Sequence, residues 1–347
     1  MNTFFIVGVQ RSGTTLLSVM LSKHPDILME KKSIAFRIIT CFKNLYDLLP
    51  FNIQFQKEAI LQWLIQNDEK GRLAKLIDLD AISQQKNIRG LIQHSIDKKL
   101  REQNKQIWGD KSPNLQHYLN DLILLMPNTK IIHIIRDGRA NAYSTSSRSY
   151  RHLLLSAQQW VDGNIEGLIN QQILGEDAYK IIYYEDLLQD PENEMKAVCQ
   201  FLNLSYSNEM ITLADKATSS AKSYVKSYFD TTKIDNWKRQ LTTNQIAKIE
   251  KIQGPLLREL NYALINEIKH APLSLARRIL FNQLDNVKQL FRSKRMGMKG
   301  KKKVLLHISF KSRLQTFAKN FIQDIFSRPI FKTVFSRIFY KRKYLKK

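Results

Sequence analysis

The feature that most constrains the fold is a glycine loop close to the beginning of the sequence. Residues 8–15 read GVQRSGTT; the apolar run TFFIVGV at 3–9 leads into them, and TLLSVMLSKHP follows with the apolar spacing of a helix. Strand, glycine loop and helix in this order place backbone N–H groups around a phosphate. Thr14 stands where nucleoside triphosphatases have the lysine that reaches the terminal phosphates. The loop therefore predicts a phosphate ligand with less charge to neutralise than a triphosphate.

Two further apolar runs of strand length predict the rest of a sheet. KIIHII at 130–135 and YKIIYY at 179–184 are each followed by helical periodicity, at 140–147, 153–174 and 191–202. Strands that alternate with helices predict an α/β fold, here a P-loop-like parallel sheet flanked by helices. Residues 34–105 contain few glycines and many apolar residues at helical spacing, so they predict a helical insertion that caps a second ligand.

A last helix is predicted to close this domain. Residues 242–262 begin with a threonine cap signal and show helical periodicity, which Gly254 and Pro255 are expected to interrupt. The character of the sequence changes near Lys269. We therefore predict a domain at 1–268 and a basic helical extension at 269–347.

Positive charge is concentrated in that extension. The chain has a net charge of +24, and residues 271–347 contain 21 of its 55 Lys and Arg residues but only two of its 31 acids. Basic segments rich in Leu, Ile and Phe favour anionic membrane surfaces. An anionic polysaccharide is the rival partner, nucleic acid is the third choice because the remaining chain is nearly balanced in charge, and a solvated helical extension is the structural alternative.

Other sequence features narrow the class of protein. Cys41 and Cys199 are the only cysteines, which argues against a disulfide framework and a cysteine zinc site. The sequence MNTFFIVGV lacks the pattern of a signal peptide, and no window of about 18 uncharged apolar residues predicts a membrane span. We therefore expect the cytoplasm, or a cytosolic membrane face, as the location.

The glycine loop also carries a family resemblance. VGVQRSGTTLLSVMLSKHPDI resembles the 5′-phosphosulfate loop of sulfotransferases that use 3′-phosphoadenosine 5′-phosphosulfate (PAPS), nearest to the bacterial and tyrosylprotein branch. The resemblance implies that the 5′-phosphate and sulfonyl oxygens are held by Arg11, Ser12, Gly13, Thr14 and Thr15.

Four later motifs are similar to segments of the same family, in the same order along the chain. In RDGRANAYS, Arg136 follows a strand and Ser144 lies eight residues later, as in the family's 3′-phosphate site. Lys111 in WGDKSP matches a lysine that contacts the transferring group. Tyr184 in YEDL matches a tyrosine near the adenine. Lys233 and Trp237 lie in KIDNWK, which resembles a late segment of the family whose basic residues cover the nucleotide, although the glycines of that segment are missing here.

The catalytic base departs from the family pattern. Relatives usually have a glutamate eight residues after the histidine that corresponds to His24, and that position is Lys32 here. Glu30 is the nearest carboxylate and is our candidate base, with His94 and His117 as alternatives. His133 lies within an apolar run and is interpreted as a core histidine.

The resemblance implies an enzyme that transfers a sulfonyl group from PAPS to a hydroxyl acceptor without a metal. Arg11 would hold the sulfonyl group, Lys111 would stabilise the leaving oxygen and Glu30 would remove the acceptor proton. A carbohydrate, lipid or other small molecule is favoured over peptide tyrosine as acceptor. A P-loop kinase is the alternative enzyme class, and a catalytically impaired basic membrane adaptor is the alternative outside catalysis.

Overall fold

A computed structural model describes residues 2–30, 34–46, 62, 71–85, 87–149, 151–212, 230–266 and 269–295. The strands are β1 (Thr3–Val7), β2 (Ile27–Met29), β3 (Ile107–Lys111), β4 (Lys130–Ile135) and β5 (Tyr179–Tyr183). The helices are α1 (Thr14–Leu21), α2 (Ala35–Tyr46), α3 (Ile88–Glu102), α4 (Leu119–Leu125), α5 (Gly138–Ser149), α6 (Leu153–Leu174), α7 (Tyr184–Gln189), α8 (Pro191–Leu202), α9 (Asn236–Gln240), α10 (Thr243–Glu259) and α11 (Leu275–Arg295). Short 3₁₀ turns lie at Leu79–Gln84, Leu115–Tyr118, Asn208–Met210 and Thr231–Lys233.

The five strands form one parallel sheet in the order β2-β3-β1-β4-β5. This confirms the predicted α/β fold with helices on both faces. The chain leaves β1 towards β2 on one side and later crosses from β3 to β4 on the other. Parallel sheets bind ligands outside the carboxyl ends of their strands, at the point where the strand order reverses. That point lies at the end of β1, where the glycine loop begins.

Strands β2 and β3 were not predicted from the sequence. The sequence of β3, IWGDK, has a glycine and two charged residues and so gives no strand signal. Gly109 is nevertheless required there, because a Cβ atom at this position would lie 2.3 Å from Cζ of Phe4 and 2.6 Å from Sδ of Met29. Packing against two neighbouring strands thus overrides the local preference.

Side chains of β1 alternate between two apolar clusters. Phe5 and Val7 pack with α2, α3 and α4, which belong to or follow the predicted insertion, whereas Phe4 and Ile6 pack with α1 and α8. The described part of 34–105 is helical or in turns, as predicted, while residues 47–61 and 63–70 lie outside the described residues. Cys41 and Cys199 are both buried, and no disulfide joins them.

The predicted interruption at Gly254 and Pro255 is wrong, because α10 runs through both residues. A proline removes the N–H that would bond the carbonyl four residues earlier. Here that carbonyl belongs to Lys251, and it accepts the N–H of Ala271 at 2.9 Å and lies 2.9 Å from Nδ1 of His270. The helix begins as predicted, since Thr242 and Gln245 form a capping box.

The first part of the basic extension packs on the domain. Helix α11 contacts the beginning of α6 through Arg278, Phe281 and Asp285. The boundary near Lys269 stays a prediction, and residues 296–347 lie outside the described residues. None of the helices in the described part of the chain is long and apolar enough to cross a membrane.

Candidate active site

Two glycines of the loop have backbone geometry that few other residues adopt. Gly8 has φ 152° and Gly13 has φ 105°, values that favour glycine over other residues. A Cβ atom on Gly13 would lie 2.4 Å from Cδ2 of Tyr184, so the loop can approach that ring only with a glycine here. Thr14 and Thr15 begin α1, and the N–H groups of a first helical turn have no partner within the helix. The loop is therefore shaped to present backbone donors to an anion.

Two asparagines that sequence reasoning missed hold this loop in place. Asn114 donates its N–H to the Gly8 carbonyl at 2.9 Å and accepts the Gln10 N–H at 3.3 Å. Asn141 donates its amide to the Gln10 carbonyl and to Oγ of Ser12, both at 3.0 Å. Ser12 is fully buried and does not line the cavity, so its hydroxyl supports the loop. No sequence pattern marks these asparagines, because their partners lie more than 100 residues away.

A cavity of about 500 Å³ opens at the carboxyl edge of the sheet. The structure brings most of the predicted ligand-binding residues to it, namely Arg11, Gly13, Thr14, Thr15, Lys111, Arg136, Ser144, Tyr184 and Lys233. Its lining contains five basic residues, and among the described residues that line it there is no carboxylate. The cavity is therefore suited to a ligand with several negative charges.

Arg136 connects the two sides of this cavity. Its guanidinium donates to the carbonyl of Arg11 at 3.4 Å and to that of Lys233 at 3.2 Å, and it lies over the Tyr184 ring at 4.4 Å from the ring centre. Its Nε is buried and has no hydrogen-bond partner among the described residues. A buried donor without a partner is costly, so a bound anion would satisfy it.

One face of α5 completes the basic wall. Ser144, Ser147 and Arg148 line the cavity at helical spacing, and Oγ of Ser144 accepts from Nε of Arg11 at 3.3 Å. Burial lowers the pKa of Lys233, and the neighbouring cations Arg148 and Arg136 lower it further. Arg148 was missed in the sequence, although its position four residues after Ser144 was the available signal.

Lys111 reaches the cavity from the end of β3, and the residue before it points to the opposite face. Asp110 is fully buried and accepts the N–H groups of Ile34 at 3.2 Å and Ala35 at 2.9 Å. Oγ of Ser112 also donates to it at 3.0 Å. Burial raises the pKa of the Asp110 carboxyl to about 6 despite these donors. Asp110 thus anchors the beginning of α2 to the strand that carries Lys111.

The candidate bases have different surroundings, and none of them lines the cavity. Oε1 of Glu30 accepts from Nζ of Lys99 and from Nε1 of Trp108. Nε2 of His94 lies 3.4 Å from Oδ2 of Asp78, beside Lys98. Nδ1 of His117 lies 2.5 Å from Oε2 of Glu166. Lys32 lies outside the described residues.

His133 and Trp237 have the surroundings that their sequence positions suggest. His133 is fully buried in β4, as expected of a core histidine, with Nδ1 at 2.9 Å from the hydroxyl of Tyr179. Trp237 lines the cavity and packs against the guanidinium of Arg139 at 4.3 Å from its ring centre. The described residues contain no group of three His, Cys, Asp or Glu side chains that could hold a metal.

Comparison with known proteins identifies the class to which this fold and cavity belong. A sequence model described as the sulfotransferase family matches residues 3–208. The chain therefore belongs to the sulfotransferase family.

Particular relatives share part of their length with this chain. It is 28% identical over 225 residues to protein-tyrosine sulfotransferase 1 of Danio rerio, a match that covers 61% of this chain and 56% of the relative. It is 29% identical over 222 residues to the protein-tyrosine sulfotransferase of Drosophila melanogaster, covering 61% of this chain and 40% of that one. The chain thus spans about half the length of these curated relatives.

A solved structure shares the fold. The sulfotransferase domain from the curacin biosynthetic pathway superposes with a TM-score of 0.51 at 20% sequence identity. The match covers 75% of this chain and 98% of that domain. At this identity the likeness supports the fold alone.

Proposed function

We propose that the protein transfers a sulfonyl group from PAPS to a hydroxyl acceptor. The observation that carries this proposal is the pairing of a glycine loop that has Thr14 in place of a lysine with Arg136 and Ser144 in the same cavity. A 5′-phosphosulfate carries less negative charge for the loop to neutralise than a triphosphate does. Arg136 and Ser144 would then bind the 3′-phosphate of the same donor.

The residues of the cavity fit this donor. The loop from Arg11 to Thr15 would hold the 5′-phosphosulfate, and Arg136 with Ser144 would hold the 3′-phosphate. The unpartnered Nε of Arg136 supports this assignment, because the phosphate would supply the missing acceptor. Tyr184 and Lys233 would contact the nucleoside. PAPS supplies the sulfonyl group and leaves as adenosine 3′,5′-bisphosphate.

The side chains of the cavity would position the sulfonyl group and stabilise the charge that develops during its transfer. The acceptor oxygen forms a bond to sulfur as the bond from sulfur to the 5′-phosphate oxygen breaks. Arg11 and the two threonines would hold the sulfonyl oxygens, and the ammonium of Lys111 would stabilise the charge on the leaving oxygen. The proton of the acceptor passes to the base.

Glu30 is our proposed base, and its present hydrogen bonds show which contact must change before it can accept a proton. Its backbone N–H donates to the Gly109 carbonyl at 2.8 Å, which places it beside the strand that ends in Lys111. Its carboxylate must exchange the Lys99 ammonium for the acceptor hydroxyl. His117 is the second candidate, because the carboxylate of Glu166 would stabilise its imidazolium after proton transfer.

Acceptor, partner and location belong to the same proposal. We propose a carbohydrate, lipid or other small molecule as the acceptor, and the cytosolic side of an anionic membrane as the surface that residues 271–347 contact. The large positive charge of these residues supports the second point. An impaired adaptor would bind membranes and adenosine 3′,5′-bisphosphate but would transfer no radiolabelled sulfonyl group from PAPS into an extract of cells that contain the acceptor.

Calorimetric titration tests the donor assignment. Adenosine 3′,5′-bisphosphate should bind more tightly than ADP, with or without Mg²⁺. Arg136→Gln should weaken adenosine 3′,5′-bisphosphate by about 30-fold to 100-fold, because a charged hydrogen-bond donor to phosphate is lost, and should leave ADP nearly unchanged. Arg258→Gln, at an exposed arginine of α10, is the matched control. Tighter binding of ADP, or a strict need for Mg²⁺, would refute the proposal and favour the kinase.

A further inference from the structure

Helix α11 is held to the domain by one of its faces. Both carboxylate oxygens of Asp285 accept the N–H of His152, at 2.9 and 2.8 Å, and the Phe281 ring stacks on the His152 imidazole with 3.6 Å between ring centres. Nη1 of Arg278 donates to Asp162 at 2.9 Å. Residues three and four apart share a helix face, so these contacts fix the orientation of the helix.

The face turned away from the domain exposes leucines. Leu280 is 55% exposed and Leu284, one turn later, is 43% exposed. Single exposed leucines are ordinary, but two at a spacing of four form a stripe. In the sequence, Val287 lies three residues after Leu284 and Phe291 four residues after Val287, which continues the helical spacing. The described contacts of the fold do not use this stripe.

No acid lies on the outward face of α11. Asp285 is the only acid between residues 275 and 295, and it is buried against His152. Arg277 is exposed beside the leucine stripe. An apolar stripe beside an arginine, with the single acid of the helix turned to the domain, has the composition of helices that lie in a membrane interface. A second copy of the same face would be repelled by its charge, and nucleic acid would gain little from the leucines.

We infer that the outward face of α11, with Leu280 and Leu284 flanked by Arg277, binds the surface of an anionic bilayer. The helix lies in the plane of the interface, and its contacts with α6 fix how the catalytic domain faces the membrane. This inference does not depend on sulfonyl transfer. It rests on the proposed membrane contact of residues 271–347 and deepens it by assigning that contact to one helix face.

A probe on the stripe tests the contact directly in the full chain. Leu284→Cys is labelled with an environment-sensitive NBD fluorophore, which the buried Cys41 and Cys199 do not compete for. Vesicles of phosphatidylcholine with phosphatidylglycerol should shift the emission to shorter wavelength, and vesicles of phosphatidylcholine alone should do so much less. If the protein sediments with the vesicles but the emission of the label does not shift, another segment binds the membrane and the inference is overturned. A shift caused by duplex DNA or by raised protein concentration without vesicles would overturn it as well.

A paired substitution measures the part played by the leucines. Leu280→Ser with Leu284→Ser should lower binding to the anionic vesicles roughly tenfold, because two apolar side chains no longer enter the interface. Ile173→Ser is the control, since Ile173 is a 67% exposed apolar residue on α6. Titration with adenosine 3′,5′-bisphosphate should be unchanged in both variants, which separates this test from that of the donor. Equal binding by the double variant and the wild type would refute the inference.

Discussion

Arg136 shows which properties of a site residue can be read from a sequence. Its position directly after an apolar run and eight residues before Ser144 predicted an anion contact at the edge of the sheet, and the structure brings both residues to one cavity. Its bonds to the carbonyls of Arg11 and Lys233 were not predictable, because they join positions 125 and 97 residues away. Glu30 is the opposite case, since its position gave no sign of the bond with Lys99 that occupies its carboxylate.

His133 provides a pH test of the core. Burial lowers the pKa of His133 to about 4 from 6.5, so the unfolded chain takes up a proton between these values before the folded protein does. The contribution of His133 to stability should be complete above about pH 6.5 and should fall by about 3 kcal/mol as the pH drops towards 4, whereas the raised pKa of Asp110 gives a change of the opposite sign over part of this range. Urea unfolding of His133→Leu across this range should therefore lack the His133 loss and keep the Asp110 change. Parallel curves for the variant and the wild type would contradict the assignment.

Some strands and helices can be predicted from the sequence more accurately than others. Strands β4 and β5 are nearly continuous apolar runs and were predicted within a residue of their bounds. Strands β2 and β3 were missed because one has three residues and the other depends on Gly109 for tertiary packing. The break predicted in α10 failed for a related reason. A distant N–H donor, from Ala271, satisfies the carbonyl that Pro255 releases.

Two helical glycines should respond to alanine in opposite directions. A Cβ atom on Gly167 of α6 would lie 2.1 Å from Cε1 of the fully buried His133, whereas one on Gly254 of α10 would meet only Leu264 at 3.7 Å. Gly167→Ala should destabilise the fold by about 1–3 kcal/mol through overpacking. Gly254→Ala should stabilise it by about 0.5–1 kcal/mol through helix propensity. The midpoints of urea unfolding measure both, and a shift in the same direction would contradict this packing.

For the molecule as a whole, the sequence predicted the class of fold, which the structure confirms, and a division into a domain and a basic extension, which stays a prediction. The two parts differ clearly in charge, but the beginning of the extension is packed against the domain. Sequence reasoning set the boundary near Lys269 because composition changes there, but composition does not report contacts. The residues from Ala271 to Asp285 pack against α6 and α10 through buried or half-buried bonds.

Truncation measures how much α11 supports the domain. Removing residues 275–347 should lower the free energy of unfolding by about 2–5 kcal/mol more than removing 296–347, because only the first deletion takes away Asp285 and Arg278 and leaves Asp162 and the His152 N–H without these partners. Chemical denaturation of both truncated proteins gives the difference. Equal stabilities would show that α11 rests on the domain without supporting it.

The charge of the cavity has a practical consequence for work with the purified protein. The five basic side chains of the cavity, which has no carboxylate among its described lining residues, attract small inorganic oxyanions as well as nucleotides. Phosphate or sulfate buffers will therefore compete with the donor, and raised ionic strength will weaken its capture. Measurements in such buffers would underestimate the affinity of the cavity for the donor. A buffer with a bulky organic anion at low salt is therefore the better choice.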